Sequence, residues 1–254
     1  MKHLVLAGKD CVIYDNIDEL PIRRFHRWQK VLMMAAGVGA TLSDFDTHID
    51  RVVRYLKASD TDNAVKELEN LRQNVNVMQQ EIPLTGMAFA ALVKSIDGVA
   101  CDDISEDGLQ RTLDKLGDVT VKEMQDNVLA SKKKIDHELT VYFPAIFDDV
   151  LTKQYYEDMK RRTLMLLEGI IEGGTDEEQV EALTDKLVLA TAPQTWTGSK
   201  SVEVQQDKAF EDLCLAISKE FHVNAKDFSV MEYYAAQEVL NKIVKEREKR
   251  TKKR

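Results

Sequence analysis

The amino-acid sequence predicts a mainly α-helical protein: a helical bundle of about eight or nine helices with a small N-terminal β-hairpin. Only four of the 254 residues are proline and eleven are glycine, which favours long helices over many short strands. Apolar residues recur at spacings of three and four through most of the chain, the period of an amphipathic helix. Three capping boxes mark helix starts by placing Glu three residues after Ser or Thr. They are Thr120 with Glu123, Thr175 with Glu178, and Ser229 with Glu232.

The first sixteen residues are predicted to form the β-hairpin. Two short apolar runs in KHLVLAGKDCVIYD flank the turn sequence at residues 7–10, a pattern typical of a hairpin. A lone hairpin is marginally stable in water. We therefore expect it to lie on the helical body or to add to the sheet of a neighbour.

The first helices are delimited by their start and stop residues. Pro21 suits the first turn of a helix, and Gly37 and Gly39 end it. Ser43 is expected to cap the second helix, and a third begins near Asp60. The apolar face of the second helix consists of Phe45, Ile49, Val52, Val53 and Leu56. The third helix carries a heptad-type seam that suits helix-on-helix packing: Leu68, Leu71, Val75, Met78 and Ile82.

The rest of the chain is predicted as further helices and two loops. After Pro83, GMAFAALVKSI is expected to be a largely buried helix. Residues 97–107 form an acidic loop, and a Pro-, Gly- and Thr-rich loop carries an isolated tryptophan. The predicted organisation is a hairpin at 1–16, a main helical domain at 17–190, a loop at 191–201 and C-terminal helices with a basic tail at 202–254.

Composition narrows the classes of function. The formal charge is −9, yet residues 242–254 hold eight Lys or Arg against two Glu, so an acidic body carries a basic tail. The longest apolar run, VLMMAAGVGATL, is shorter than the roughly 20 residues of a membrane span. We expect no membrane segment and no secretory signal. The three cysteines form no CxxC pair, which fits a reducing compartment.

No catalytic motif is recognisable, and we expect a non-enzymatic protein without a cofactor. The sequence contains neither HExxH nor GxSxG. Asp44, Asp46, His48 and Asp50 alternate as calcium ligands do, but the turn glycine and the final Glu of a calcium loop are missing. These residues are interpreted as the polar first turns of a helix. A metal held by Asp44, His48 and carboxylates of the Asp102 type is the open alternative.

A basic stripe is predicted on the first helix. Arg23, Arg27 and Lys30 follow each other at i, i+4 and i+7, with Arg24 beside them. The aromatic residues of this helix are expected to face the core, whereas a single-strand binder would place aromatics beside its cations. The stripe is interpreted as a solvated face or as a contact for an acidic partner or a neighbouring subunit.

The basic tail and the loop tryptophan are the other candidate contacts. Trp196 either fills a partner's pocket or folds back onto its own core. The tail is predicted to continue the last helix and then fray, and to dock on acidic protein or on nucleic acid if it has a partner. Its candidate contacts are Arg247, Lys249, Arg250, Lys252, Lys253 and Arg254.

Residues 13–56 resemble uncharacterised virion or tail-assembly proteins of tailed phages that infect gut Bacteroidetes, the crAss-like group. The shared pattern is a short strand, Asp-Glu-Leu-Pro at 18–21, a helix containing Arg and Phe, a break at Gly37 and Gly39, and an acidic-capped helix. The resemblance implies a non-enzymatic protein of the virion or host cytoplasm. Its implied partners are copies of itself, as a homo-oligomer, or other phage structural proteins. A nucleic-acid-associated protein, a tail-assembly chaperone and a cytosolic helical adaptor are the alternatives.

Overall fold

The computed structural model describes residues 1–79, 83–147, 150–174 and 176–251. These residues form eleven α-helices and a small antiparallel sheet, which confirms the mainly α fold. The strands are β1 (Lys2–Leu6), β2 (Lys9–Ile13), β3 (Val93–Ile96) and β4 (Val99–Ala100). The helices are α1 (Ile22–Gly37), α2 (Leu42–Lys57), α3 (Thr61–Met78), α4 (Leu84–Leu92), α5 (Glu106–Leu116), α6 (Val121–Tyr142), α7 (Pro144–Phe147), α8 (Val150–Glu172), α9 (Glu177–Ala190), α10 (Val202–Phe221) and α11 (Val230–Thr251).

The chain divides into two compact units, each assembled from separate segments. Unit 1 comprises residues 1–36, 79–143 and 198–254, and unit 2 comprises residues 37–78 and 144–197. One boundary, between residues 197 and 198, falls inside the predicted loop 191–201. The other boundaries lie at helix ends within residues 17–190, which were predicted to form one domain.

The N-terminal hairpin is confirmed, and it belongs to a four-stranded sheet of order β1-β2-β3-β4. Ala7 and Gly8 turn between β1 and β2 with φ of 47° and 77°, the positive values of a two-residue hairpin turn. Asp97 and Gly98 repeat this turn between β3 and β4 with φ of 49° and 76°. The hairpin therefore adds to a second hairpin of its own chain. The prediction of a helix through residues 86–96 is wrong at its end, because α4 stops at Leu92.

Unit 1 has an extensive apolar core. Helix α4 is buried along almost its whole length, so it packs on all sides as the central element of this unit. Phe25 and Trp28 of α1 are 1% exposed, and their ring centroids lie 6.0 Å apart. Phe89 and Leu92 of α4 are fully buried. Aromatic and branched side chains in this arrangement supply most of the hydrophobic stabilisation of a domain.

Two of the three predicted capping boxes are confirmed. Thr120 and Glu123 bond reciprocally at the start of α6. Ser229 and Glu232 do the same at the start of α11. Thr175 lies outside the described residues, and the α9 N-cap is Asp176.

One predicted helix start is wrong. The N-cap of α2 is Thr41 instead of Ser43, because Thr41 and Asp44 complete a capping box. The tail continues the last helix as predicted, and α11 extends to Thr251. Lys252, Lys253 and Arg254 lie outside the described residues.

Unit 2 contains the helix pair α2–α3, the short helix α7 and the helix pair α8–α9. A three-residue turn at 58–60 joins α2 to α3. Contacts join Val38 to Asn74 and His48 to Glu67. Residue numbers therefore increase in opposite directions along the two segments. The two helices are therefore antiparallel.

Candidate interaction surface on helices α2 and α3

The interface between α2 and α3 is built on a polar network. His48 Nδ1 lies 2.8 Å from Glu67 Oε1, and His48 Nε2 lies 2.8 Å from the carbonyl oxygen of Val38. Asn74 Nδ2 donates to the same carbonyl at 3.0 Å, and Asn70 Nδ2 donates to Glu67 Oε2 at 3.2 Å. His48, Glu67, Asn70 and Asn74 are all at most 3% exposed. These bonds satisfy most of the buried polar groups, while the side-chain oxygens of Asn70 and Asn74 are buried without a hydrogen-bond partner among the described residues.

The geometry identifies His48 as a charged imidazolium. A carbonyl oxygen and a carboxylate only accept hydrogen bonds, so both ring nitrogens must donate. Burial alone lowers the pKa of His48, but the bonds to Glu67 and to Val38 outweigh burial and raise it above the ordinary value. Burial raises the pKa of Glu67, but the bond to His48 and the charge of Arg51 outweigh it and lower the pKa. A buried ion pair therefore joins the two helices.

The predicted apolar faces of α2 and α3 lie mostly beside this interface. The buried residues of α2 are His48, Val52 and Tyr55; those of α3 are Ala64, Glu67, Asn70, Asn74 and Val77. On both helices the apolar stripe comes one residue after the buried positions. Each residue rotates the side-chain direction by about 100° about the helix axis. Viewed from one end, two antiparallel helices rotate in opposite senses, so this step turns both apolar stripes to the same side of the pair.

We call this side the open face. Its apolar residues are Ile49, Val53, Leu56, Leu68, Leu71 and Val75. Leu56 is 54% exposed and Leu68 is 49% exposed, while Leu71 and Val75 are half-buried. The expectation that Leu68 packs in a buried seam is wrong, and Ile82 lies outside the described residues.

Helix α9 packs on a different side of α2. Arg54 binds Glu181 at 2.9 Å and also pairs with Asp185. The Tyr55 hydroxyl lies 2.9 Å from the carbonyl oxygens of Val188 and Thr191. Arg54 and Tyr55 are turned away from Val53 and Leu56 by the helical spacing. The contact with α9 therefore leaves the open face uncovered.

The predicted basic stripe on α1 is largely occupied by contacts within unit 1. Arg23 lies 3.2 Å from Asp227. Lys30 pairs with Glu203 and Asp207 at 2.9 Å each. Arg27 is half-buried, and its Nε is buried without a hydrogen-bond partner among the described residues. The charges of Arg23 and Lys30 thus already face carboxylates of their own chain.

The placement of Arg24 beside that stripe is wrong. Arg24 is 4% exposed and donates to the carbonyl oxygens of Ala91 at 3.1 Å, of Val93 at 2.8 Å and of Cys101. Its guanidinium also lies 5.5 Å from the ring centroid of Tyr14. The fork of donors on one guanidinium can satisfy several carbonyls together. Arg24 therefore connects α1 to the α4–β3 junction and to the strand-end loop.

Trp196 is half-buried and folds onto unit 2. A Cβ placed on Gly37 would lie 2.5 Å from its ring, so the indole packs directly on the Gly37 backbone. Its Nε1 is buried and has no hydrogen-bond partner among the described residues. Gly37 thus permits a close approach that any other residue would block.

The described part of the basic tail is a helical segment. Arg247 donates two hydrogen bonds to Glu220, at 3.2 and 2.7 Å. Lys249 and Arg250 are exposed on the last turn of α11. These two cations form no ion pair among residues 1–79, 83–147, 150–174 and 176–251.

The candidate metal ligands serve other contacts. Asp44 accepts hydrogen bonds from the backbone N–H groups of Ala40 and Thr41 at 3.0 Å each, and His48 belongs to the buried network. Asp103 pairs with Arg111. Within the described ranges, no group of three or more His, Cys, Asp or Glu side chains is placed to hold a metal ion. The cysteines Cys11, Cys101 and Cys214 are buried and free.

Among the residues that the structure describes, no helix combines the length and apolar character of a membrane span.

Comparison of the chain with protein-family models, with curated proteins and with solved structures found no match.

Proposed function

We propose that the protein is a non-enzymatic structural or assembly protein that acts through protein–protein contacts. The open face is the observation that carries this proposal. Contiguous apolar surface on a folded protein marks an interaction site more often than isolated exposed residues do. Here the apolar residues follow helical spacing on two neighbouring helices, so they present one continuous surface to a partner helix.

The composition of unit 2 supports the same function. Its described residues bury as many polar as apolar side chains, while many of its other apolar side chains are exposed. Helix α8 adds a second exposed apolar stripe at helical spacing: Leu164 at 47%, Leu167 at 51% and Ile171 at 82% exposed. Covering such stripes with a partner removes apolar surface from water, which stabilises unit 2.

The resemblance supplies the setting of the proposal. Residues 13–56 include all of α2 except its last residue, and α2 contributes half of the open face. We place the protein in the virion, neck or tail of a phage, or in the host cytoplasm during assembly. A tail-assembly chaperone would use the same surface in infected cells and be missing from finished particles.

Two measurements test this function together. Light scattering on a sizing column, repeated across salt concentrations, gives the mass in solution, and mass spectrometry identifies the proteins of purified phage particles. We expect a discrete multiple of 28.9 kDa or the presence of the chain in particles. A strict monomer at every concentration that is also missing from particles would contradict the proposal.

Nucleic-acid binding through the tail is the second candidate function. Its supporting observation is the pair of exposed cations, Lys249 and Arg250, without ion-pair partners in the described part of the chain. Phosphate binding by Lys and Arg weakens steeply with salt. Retention on DNA or RNA that falls with salt and disappears on deletion of residues 248–254 would support this candidate. Equal retention by the deleted chain would exclude it.

A further inference from the structure

We propose that the open face binds the open face of a second copy of this chain, so that two α2–α3 hairpins form a four-helix bundle. This inference rests on the proposed assembly function and names its partner. It is argued from the shape of the hairpin and from two unpaired charges at its rim.

The two helices offer a surface that an equal hairpin covers. α2 has 16 residues and α3 has 18, so they are about 24 and 27 Å long at 1.5 Å per residue. A twofold axis parallel to the helices places α2 of one copy on α3 of the other. Every neighbouring pair in that arrangement is antiparallel, as in an up-and-down bundle.

The rim of the open face carries exposed charges of both signs, among them Asp46 on α2 and Arg72 on α3. Asp46 follows Leu42 by four residues, and Arg72 follows Leu68 by four, so both continue the lines of the apolar stripes. Asp46 and Arg72 are exposed. Neither makes an ion pair within residues 1–79, 83–147, 150–174 and 176–251. Both side chains are therefore accessible to the charges of a partner.

The twofold arrangement brings these two charges together. Within one copy, His48 and Glu67 are in contact and so lie at the same height along the helix axes. Because the helices are antiparallel, Asp46, two residues before His48, lies at about the height of residue 69, two residues after Glu67. The twofold axis preserves that level, and Asp46 of one copy comes within a helical turn of Arg72 of the other. Placing α3 on α3 would instead bring Arg72 against Arg72, which like charges disfavour.

Self-complementarity distinguishes a second copy from other partners. In an isologous interface the same surface of both copies is in contact, so that surface must carry both members of each interacting pair of residues. The open face has this composition, with an apolar centre and rim charges of both signs, of which Asp46 and Arg72 come near each other in the twofold arrangement. A surface built for a strongly acidic or strongly basic partner would carry charges of one sign.

The first experiment is the mass of the full-length chain by light scattering over a range of concentrations. We expect twice 28.9 kDa for the wild type and the monomer mass for Leu68→Asp. Leu215→Asp is the matched control, because Leu215 of α10 is exposed at 66% but lies in unit 1. Circular dichroism verifies that each variant keeps its helices.

Charge reversal then tests the pairing itself. Arg72→Glu and Asp46→Lys alone should each weaken the dimer by about tenfold in Kd or more, and the double variant should restore most of the affinity. A double variant as weak as either single variant would overturn the α2-on-α3 arrangement.

The outcomes separate this inference from the proposed function. If Leu68→Asp and Arg72→Glu both keep the mass of the wild-type oligomer, self-docking through the open face is overturned. The proposed assembly function would then still stand. A wild-type chain that is monomeric at every concentration would overturn the inference as well. The presence or absence of the chain in particles would then decide the proposed function.

Discussion

The two units of this chain are stabilised in opposite ways. In unit 1 the buried side chains are predominantly apolar and include the aromatic rings of α1 and α4. In unit 2 the described residues bury only five apolar side chains and as many polar ones. The five are Val38, Val52, Tyr55, Ala64 and Val77. Unit 1 can thus be stabilised by its own apolar packing, whereas unit 2 depends more on buried polar bonds.

The buried charges show the same contrast. In unit 1, Arg24 donates to three backbone carbonyls and forms no ion pair among the residues that the structure describes, although the charge of Asp102 acts on it. In unit 2, His48 and Glu67 form an ion pair between two helices. The first arrangement fixes backbone segments within an apolar core, while the second makes the α2–α3 pair sensitive to pH.

Each unit contains one tryptophan, so its unfolding can be followed separately. Trp28 lies in unit 1 and Trp196 in unit 2, and the chain has no others. Phenylalanine at either position leaves fluorescence from the other unit alone. The following predictions use these two signals.

The largest expected effect is on the core of unit 1. Phe89→Ala removes a fully buried ring and should lower the free energy of unfolding of this unit by about 3–5 kcal/mol. Urea unfolding followed by Trp28 fluorescence measures it. Leu164→Ala, at a 47% exposed position of unit 2, should change stability by less than about 0.5 kcal/mol. Equal losses in the two variants would contradict the comparison of the cores.

The ion pair of unit 2 should give nearly as large an effect. His48→Ala leaves the buried carboxylate of Glu67 without its main partner, which costs about 3 kcal/mol. Urea unfolding followed by Trp196 fluorescence measures the loss. A loss below about 1 kcal/mol would show that the pair does not stabilise the α2–α3 interface.

The same pair predicts a pH optimum for unit 2. The raised pKa of His48 means that its contribution is complete below about pH 6.5, the ordinary histidine value, and is lost as pH rises through the folded-state pKa. The lowered pKa of Glu67 means that its contribution is present above about pH 4.5 and is lost on further acidification. The wild-type unfolding midpoint followed by Trp196 fluorescence should therefore fall as the pH rises from about 6.5 through the raised folded-state pKa of His48. His48→Ala should abolish this dependence, and its persistence in the variant would assign it to other groups.

The buried arginine of unit 1 should give a smaller loss. Arg24→Met keeps the length of the side chain but leaves three carbonyl oxygens without their donor, at a cost of about 1–3 kcal/mol. Arg23→Met is the matched control, since Arg23 makes an exposed pair with Asp227 that contributes about 0–1 kcal/mol. Urea unfolding followed by Trp28 fluorescence measures both losses. Equal losses of unfolding free energy in Arg24→Met and Arg23→Met would contradict the structural role of Arg24.

The smallest expected effect concerns the tryptophan of unit 2. Gly37→Ala places a methyl group against the Trp196 ring and should cost about 1–2 kcal/mol as the indole shifts. Gly174→Ala adds a methyl group with no heavy atom within 4 Å and is the control. The Trp196 emission maximum should move in the first variant only. An unchanged emission spectrum in Gly37→Ala would show that the close contact does not persist in solution.

The sequence predicted the helical class, the N-terminal hairpin and two capping boxes because each depends on residues close together in the chain. It also located the apolar stripes of α2 and α3. It did not predict that the open face lies beside the interface, since periodicity identifies an apolar face and not what covers it. The polar network between α2 and α3 could have been found from the sequence, because Glu67, Asn70 and Asn74 recur at the helical spacings of three and four.

Long-range contacts explain the remaining misses. Arg24 was grouped with its charged neighbours, yet it lies four residues before the buried Trp28 and thus on the same side of α1. The acceptors that make its burial possible come from residues 91–101, far away in the sequence. Strand β3 was predicted as helix because no proline or glycine separates it from α4.

The central claim is that unit 2 is completed by a second copy of the chain. The most direct test is urea unfolding of the Trp28→Phe variant, followed by Trp196 fluorescence at a series of protein concentrations. If copies bind through unit 2, its unfolding midpoint should rise with protein concentration, because association stabilises the folded state by mass action. The same series with Leu68→Asp added should show no such rise. A midpoint that does not depend on concentration in Trp28→Phe would contradict the claim.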